Sequence, residues 1–521
     1  MSLLKVQHQG EPKRAFKFGY VYIVFIFLIG AFLRFNELGF RSMWLDEAWR
    51  VAYSKIPLID HISLKVPNGI ILFPLILKAA GNIAGYSELS MRFIPALAGA
   101  LVVMSGYLLS RQFLEKTPSL IVATLIALSP IGIAYSQEAA NYALSMLIVS
   151  LLLFFYMRYI DRKKIIYLIF YVIAGVAAVY LHSFSIFIVG GTLIYTILTG
   201  RLTNTAKRLY LAYLVIFVCA IPDLISKYQF AQYLRKDSFS SLEALTFSGV
   251  CGLSERIIFS WLSGPTKSIY VPLSDTKLIW DHLILAKWVF IGIFAWVILV
   301  NLLRWDLKAN LLLLCISFYF LALVSLGRTN DRYFLVVMPL FFILLARACY
   351  LSWAHWAFRP IVCFVLIGLL LNFQDAYWQN HDQMLWKNDW RGVCNNLRLS
   401  VKEMKPNTNF AILVPINYET PLVEFYLPDF RDKILWDPEY QSYRNDPKYI
   451  FLSGAKIREF NTKMLKSGKA LQADVLYVVT LRGFRYVDDI TELKEQFRLY
   501  KTEGRWPRLL TYRRLITNRA D

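Results

Sequence analysis

Cysteine is scarce and unpatterned in this chain. There are six in 521 residues, with no CxxC pair and no spacing that would hold zinc or lay out a disulfide framework. Cys219, Cys315, Cys349 and Cys363 lie inside apolar runs, where a small buried thiol is the plain reading. Acidic residues are outnumbered, 36 against 57 basic ones, for a formal charge of +21. Nucleic acid is still excluded as a partner: no DNA- or RNA-binding module is readable, and the lysines and arginines are dispersed over short loops. Walker, Rossmann and nucleophile-elbow patterns are all missing, so nothing offers a soluble nucleotide a cradle. Tandem repeats and low-complexity tracts are missing too. The first apolar run is not followed by a small-residue cleavage site, so it is expected to be a retained anchor.

What is present is apolar surface. Hydrophobic residues make up 57% and the mean hydropathy is +0.45, whereas a soluble chain would hold roughly 45–50% apolar residues. Several uncharged runs reach the length needed to cross about 30 Å of hydrocarbon. The basic residues of the loops then set the expected topology, with the N-terminus inside. The expected spans are Phe18–Leu33, Phe93–Ser110, Thr117–Tyr135, Ala139–Met157, two within Ile165–Gly200, Leu209–Pro222, Trp288–Leu303, Ala309–Leu326, Tyr333–Ala346 and 359–374, about eleven in all. Gly69–Ala84 is apolar but short and interrupted by Pro74 and Lys78, which makes it an interfacial helix of the first outer loop. A second outer loop covers 227–284. Beyond 374 charge rises and short β-rich runs appear: Asn409–Pro415, Asp474–Thr480 and Leu509–Arg513, with a helical stretch at Ala455–Leu465. The expectation is a membrane domain over 1–374 and a small mixed α/β domain over 375–521 on the outer face.

With that topology, an acid pair stands just past the first span, Asp46-Glu47, flanked by Trp44 and Trp49. Arg92, Gln137, Glu138, His182, Arg328 and Arg332 fall at the same outer level. Acids, a histidine and arginines collected at one depth point to a polar cleft at the membrane surface. A carboxylate there can take a proton from an attacking hydroxyl or amine. Arginines can hold a phosphate leaving group by paired hydrogen bonds. Together they suit sugar transfer from a lipid phosphate whose tail stays in the bilayer. Anionic headgroups account for the remaining basic excess.

Four segments carry a resemblance, in chain order: Leu-Gly-Phe-Arg-Ser-Met-Trp-Leu-Asp-Glu-Ala (38–48), Met-Arg-Phe-Ile-Pro-Ala-Leu-Ala-Gly (91–99), Leu-Ser-Pro-Ile-Gly-Ile-Ala-Tyr-Ser-Gln-Glu-Ala (128–139) and Leu-His-Ser-Phe (181–184). They resemble the successive motifs of GT-C glycosyltransferases, most nearly the bacterial relatives of protein O-mannosyltransferases and lipid A sugar (aminoarabinose) transferases. Arg332-Tyr333, with Pro339 beyond, and Asn388-Asp389-Trp390-Arg391 are similar to that group as well. The resemblance spans about residues 20–395. It implies a polytopic α-helical GT-C membrane fold and an inverting transfer from a polyprenyl-phosphate sugar to a lipid, glycan or protein acceptor. It also implies Asp46 as catalytic base, Glu138 as a second catalytic acid, and a donor-phosphate role for Arg332 and Tyr333; His182, Arg92 and Arg328 are expected to share that role from their place at the outer membrane level. A divalent metal ion (Mg, Mn or Zn) at Glu47 and Glu138 is left open, as is oligomeric state. The implied place is a bacterial inner membrane with the C-terminal domain in the periplasm. Two departures stand out: Val66-Pro-Asn-Gly69 where relatives carry His-Pro-Pro-Leu, and Ala140-Asn141 where they often place an arginine.

Each of these residues also has an ordinary reading. Asp46 can serve as a helix cap or a solvated acid, and Glu138 can complement a helix N-terminus. His182 can be a satisfied interfacial histidine, and the arginines can snorkel to headgroups. Asp389-Trp390-Arg391 reads as a structural junction after the last span. Two other classes compete: an arginine- and histidine-dependent polysaccharide ligase or polymerase, which does not need Asp46, and a lipid-linked glycan transporter. A transporter is expected to show paired halves with broken helices at mid-membrane, and no such internal symmetry is readable.

Overall fold

The computed structural model describes residues 13–57, 72–199, 204–234, 284–303, 306–326, 330–360, 362–363, 365–367, 389–414, 419–435, 461, 464–466, 470, 472–480, 493, 497–503 and 508–514. Arg328, the Val66–Gly69 departure, most of the second outer loop and most of the 359–374 and 455–465 elements lie outside the described residues. The chain forms two compact units. One comprises Met1–Asn36, Phe93–Ala220 and Ser240–His381; the other comprises Glu37–Arg92, Ile221–Phe239 and Asp382–Asp521.

The protein is an α-helical, polytopic membrane protein. Among the described residues five helices are long and apolar enough to cross a bilayer: Glu88–Ser110, Tyr142–Arg162, Thr205–Ile225, Lys308–Ser325 and Arg332–Trp353. A bent pair, Lys116–Leu128 and Pro130–Ser136, brings the number to six if it counts as one span. Shorter apolar helices occupy Val21–Phe35, Ile165–Leu181 and Ser183–Thr199, and the helix Ile284–Leu303 covers the expected Trp288–Leu303 span. His182 falls where the sequence places it. The helix Ile165–Leu181 stops at it, a 3-10 turn Ser183–Ser185 follows, and Ile186–Thr199 begins the return.

The bent pair has a readable cause. Pro130 has no N–H to reach the Ile126 carbonyl one turn back, so the helix cannot continue through it. In a bilayer such a carbonyl needs another donor. Arg34, buried at the end of the helix Lys13–Phe35, supplies it. Its Nη2 donates to the Ile126 carbonyl at 2.9 Å, and its Nη1 donates to Ala127 and Gly30 carbonyls, each at 2.9 Å. Ser129 then caps the next segment, its hydroxyl accepting from the Gly132 N–H at 3.2 Å. The two pieces meet at 54°, so the expected single span Thr117–Tyr135 is a broken one. Gly99 makes room for the bend: a Cβ there would lie 2.0 Å from Ser136 Oγ and 3.0 Å from Arg34 Nε.

Deeper in the same unit, hydroxyls tie four helices together. Tyr156 and Tyr213 both bond the Thr196 hydroxyl, at 2.7 and 2.8 Å, and Tyr171 bonds that of Thr192 at 2.7 Å. Side-chain bonds of this kind act as polar glue between membrane helices.

The second unit carries a four-stranded mixed sheet of order β1-β2-β4-β3, with β1 Phe410–Leu413, β2 Val475–Thr480, β3 Phe497–Glu503 and β4 Arg508–Arg514. β1 and β2 are parallel; β4 runs antiparallel to both β2 and β3. Alternation along the strands sends rows of apolar side chains to one face: Ala411, Leu476 and Tyr512, then Leu413, Val478 and Leu510, all in register and buried with Leu435 and Leu465. The three expected strands are present. β3 was not expected, because Phe-Arg-Leu-Tyr-Lys-Thr-Glu carries the charges that edge strands use against unwanted pairing.

Replacing Arg34 with methionine is expected to cost about 1–3 kcal/mol, since buried carbonyls lose their donors. Adding Pro130→Ala, which restores an N–H toward Ile126, should recover part of the loss. SDS titration in mixed micelles measures both; an Arg34→Met protein as stable as the wild type would refute the account.

Candidate functional site

The structure places the candidate residues in two groups, one in each unit. In the second unit, the helix Leu45–Ser54 follows Trp44 and carries Asp46 and Glu47 in its first turn, where negative charge is favoured. The two acids are placed differently. Asp46 is half-buried. Glu47 is fully buried and reaches back to accept from the Trp44 N–H at 3.1 Å, fixing the helix start. The same carboxylate receives Arg92 bidentately, Nε to Oε1 at 2.7 Å and Nη2 to Oε2 at 2.8 Å. Burial disfavours both charges, and the paired geometry offsets that cost.

Arg92 does more than neutralise Glu47. Its Nη1 donates to the Leu38 carbonyl at 3.2 Å and that of Arg41 at 2.8 Å; its Nη2 donates to Ser42 at 3.1 Å. From Asp389-Trp390-Arg391, a second guanidinium grips the same loop. Arg391 donates to Gly39 at 2.8 Å, Phe40 at 3.2 Å and Arg41 at 3.3 Å, and holds Glu88 Oε1 at 2.6 Å. Every carbonyl from Leu38 to Ser42 thus meets an arginine. The next backbone group, the Met43 N–H, donates to the Tyr426 hydroxyl at 2.6 Å, which donates in turn to Glu88 Oε1 at 2.9 Å. Burial, and then the neighbouring Glu88 carboxylate, pushes the Tyr426 hydroxyl pKa up, so it stays protonated as that donor. Asp389 accepts from Gly392 N–H at 2.8 Å and from the Ser42 hydroxyl at 3.2 Å, capping the helix Trp390–Lys402. A Cβ at Gly392 would lie 2.1 Å from Asp389 Oδ2, so a larger residue there would displace the capping carboxylate.

In the first unit, Glu138, His182, Arg332 and Tyr333 belong to neighbouring segments. Gln137 fastens the stretch ahead of Glu138 by donating to the Leu33 and Asn36 carbonyls at 3.2 and 2.9 Å. Asn141, one of the two departures, donates its side-chain amide to the Leu181 carbonyl, beside His182. The buried His182 ring packs against Tyr142 at 6.4 Å and Tyr333 at 6.1 Å. Tyr319 joins them, its hydroxyl donating to the Tyr333 carbonyl at 2.6 Å and lying 3.5 Å from His182 Nδ1. The Arg332 guanidinium sits over the Tyr333 ring, 5.6 Å from its centroid, and the Arg332 backbone N–H donates to Asn330 Oδ1 at 3.2 Å.

Metal chemistry finds a poor fit at Glu47, because both carboxylate oxygens are bonded to Arg92 and one also to backbone. Among the described residues no group of three or more His, Cys, Asp and Glu side chains is placed to hold a metal ion. Glu88, Arg391 and Tyr426 were not singled out as site residues. Arg391 lies in the Asn388-Asp389-Trp390-Arg391 motif, which is its signal; Glu88 pairs with Arg391 and Tyr426, not with Arg92 four residues on, so spacing does not reveal it, and Tyr426 has no signal. Cys394, buried with its thiol pushed up to about 12, is an inert core residue.

Comparison with known proteins gives a consistent picture. A family model described as dolichyl-phosphate-mannose-protein mannosyltransferase matches residues 66–225. No curated protein sequence matches the chain. Among solved structures, ArnT from Cupriavidus metallidurans in the apo state aligns over 96% of this chain and 98% of its own, at 12% identity and a TM-score of 0.56. The same protein bound to undecaprenyl phosphate aligns with a TM-score of 0.55 at 13% identity, over 96% and 98% of the two chains. The Archaeoglobus fulgidus oligosaccharyltransferase in complex with zinc and sulfate aligns over 95% of this chain and 73% of its own, at 14% identity and a TM-score of 0.52. At such identities the likeness is one of fold.

The two adjacent acids should respond differently to truncation. Glu47→Ala leaves Arg92 buried without its partner and is expected to lose about 3–5 kcal/mol. Asp46→Ala should lose no more than about 1 kcal/mol, the value of a charge at a helix start. Equal losses in detergent unfolding titrations would contradict the assignment of Glu47 to structure.

Proposed function

We propose that this chain, a membrane glycosyltransferase of the GT-C fold, moves a sugar from a polyprenyl-phosphate donor to a lipid, glycan or protein acceptor with inversion at the anomeric carbon. The observation that carries the reading is the division between the two acids. Glu47 is consumed in holding Arg92, while Asp46, one residue earlier in the first turn of the same helix, is half-buried. We assign proton transfer to Asp46 for its half-exposed place at the helix start, and structure to the buried Glu47.

In the proposed reaction Asp46 takes the proton of the acceptor hydroxyl or amine as its heteroatom bonds to the anomeric carbon. The bond from that carbon to the phosphate oxygen breaks, and the polyprenyl phosphate leaves with the electron pair. Arg332 and His182, with the Tyr333 ring beside both, receive the departing negative charge. Arg328, outside the described residues, stays with this group on the sequence reading. Glu138 remains a second acid of the site. Arg92, occupied by Glu47 and three carbonyls, is assigned to structure in place of donor phosphate. The binding of undecaprenyl phosphate by ArnT, and of dolichol-phosphate by the archaeal oligosaccharyltransferase AglB, supports a lipid-phosphate donor. Zinc in the archaeal relative is not carried over, since Glu47 does not fit as a ligand. The proposed placement is a bacterial inner membrane, N-terminus in the cytoplasm, with the sheet-bearing C-terminal region in the periplasm. The basic run Arg158, Arg162, Lys163 and Lys164 at the end of one crossing supports it.

Isolated membranes supplied with radiolabelled undecaprenyl-phosphate mannose, glucose and aminoarabinose test the proposal. Label should move to a membrane acceptor from one of these donors, and Asp46→Asn should lower the rate by about 10²-fold or more. Transfer that survives Asp46→Asn but is lost with Arg332→Ala would instead favour an arginine-dependent ligase.

A further inference from the structure

The loop that delivers Asp46 is held by groups from far along the chain. Arg391 bonds three of its carbonyls, and Tyr426 holds the Met43 amide, three residues before Asp46. Glu88 ties these two together, accepting from Arg391 at 2.6 Å and from Tyr426 at 2.9 Å. Tyr426 is itself fixed from behind, its carbonyl accepting from Arg398 Nη2 at 3.0 Å. Arg391 is anchored at its backbone, where its N–H donates to the Ser42 hydroxyl at 3.2 Å.

We infer that Arg391 and Tyr426 are positioning residues for Asp46, and that the C-terminal region sets the geometry of the proton-accepting step. Neither residue needs to touch substrate. Their shared task is to fix Leu38–Met43, and through it the start of the helix Leu45–Ser54. A displacement of about 1 Å in such a support costs on the order of 10²-fold in rate. Lysine cannot replace Arg391, because a point charge lacks the planar fork that spans several carbonyls and a carboxylate. Phenylalanine at 426 removes one hydroxyl and leaves the Met43 N–H and Glu88 without it. The inference rests on Asp46 being the base.

The test uses the full-length chain in membranes and in detergent, with whichever undecaprenyl-phosphate sugar of the panel is turned over. Arg391→Lys and Tyr426→Phe should each lower kcat roughly ten- to hundredfold and leave the donor KM within about twofold. In an Asp46→Asn background Arg391→Lys should produce no further loss. Hydrogen exchange gives an independent reading: the Met43 amide should exchange about tenfold faster or more in Tyr426→Phe, with global melting nearly unchanged. Unchanged Met43 exchange overturns the inference whatever the activity. An inactive Asp46→Asn beside a fully active Arg391→Lys overturns it alone. A fully active Asp46→Asn overturns the base assignment and the inference with it.

Discussion

Consecutive carbonyls can turn toward the interior only if donors meet each one, since a buried backbone oxygen without a partner is costly. Leu38 to Ser42 turn theirs toward two guanidinium groups, and much of the second unit is arranged to provide these. Arginine suits the task because its five N–H groups radiate in one plane and serve several acceptors at once. Each guanidinium also meets a carboxylate, Glu47 for Arg92 and Glu88 for Arg391, so the loop is lined by charge without carrying excess charge. The Asp46 helix inherits its position from this arrangement.

The first unit solves a related difficulty by the same means. Pro130 breaks a membrane helix and leaves a carbonyl exposed, and Arg34 covers it from a neighbouring helix. Small residues follow from the break, Gly99 being the case where even a methyl group would collide with Ser136. In both units an arginine that composition alone would assign to lipid headgroups turns inward to backbone oxygens.

Much of this fold was legible in the sequence. Uncharged runs gave the membrane helices, and the one histidine in a long stretch without lysine, arginine, aspartate or glutamate, His182, marked the turn between two of them. The parallel pairing of β1 with β2 beside antiparallel neighbours agrees with the expected mixed sheet. The bend at Ser129 was less legible, because apolar composition continues across it and only Pro130 signals the break. Arg92 was recognised as an arginine at the membrane level, but its partner lies 45 residues earlier and nothing local announces the pairing. Likewise Asp389-Trp390-Arg391 read as a junction with the last span, whereas its side chains bind the loop after the first helix. Long-range side-chain contacts have no periodicity, so they leave no pattern to read.

The separation of these partners has a consequence for biosynthesis. Arg391 and the Phe40 carbonyl it holds are 351 residues apart. At roughly 5–20 residues per second, the loop is made and delivered to the membrane roughly 20–70 s before the groups that complete it emerge from the ribosome. Through that interval the carbonyls of Gly39 and Phe40 must be served by water or by headgroups. A chain released before Arg391 therefore carries every membrane helix up to that point and still lacks a finished first loop, so the loop takes its working form only after Arg391 has emerged.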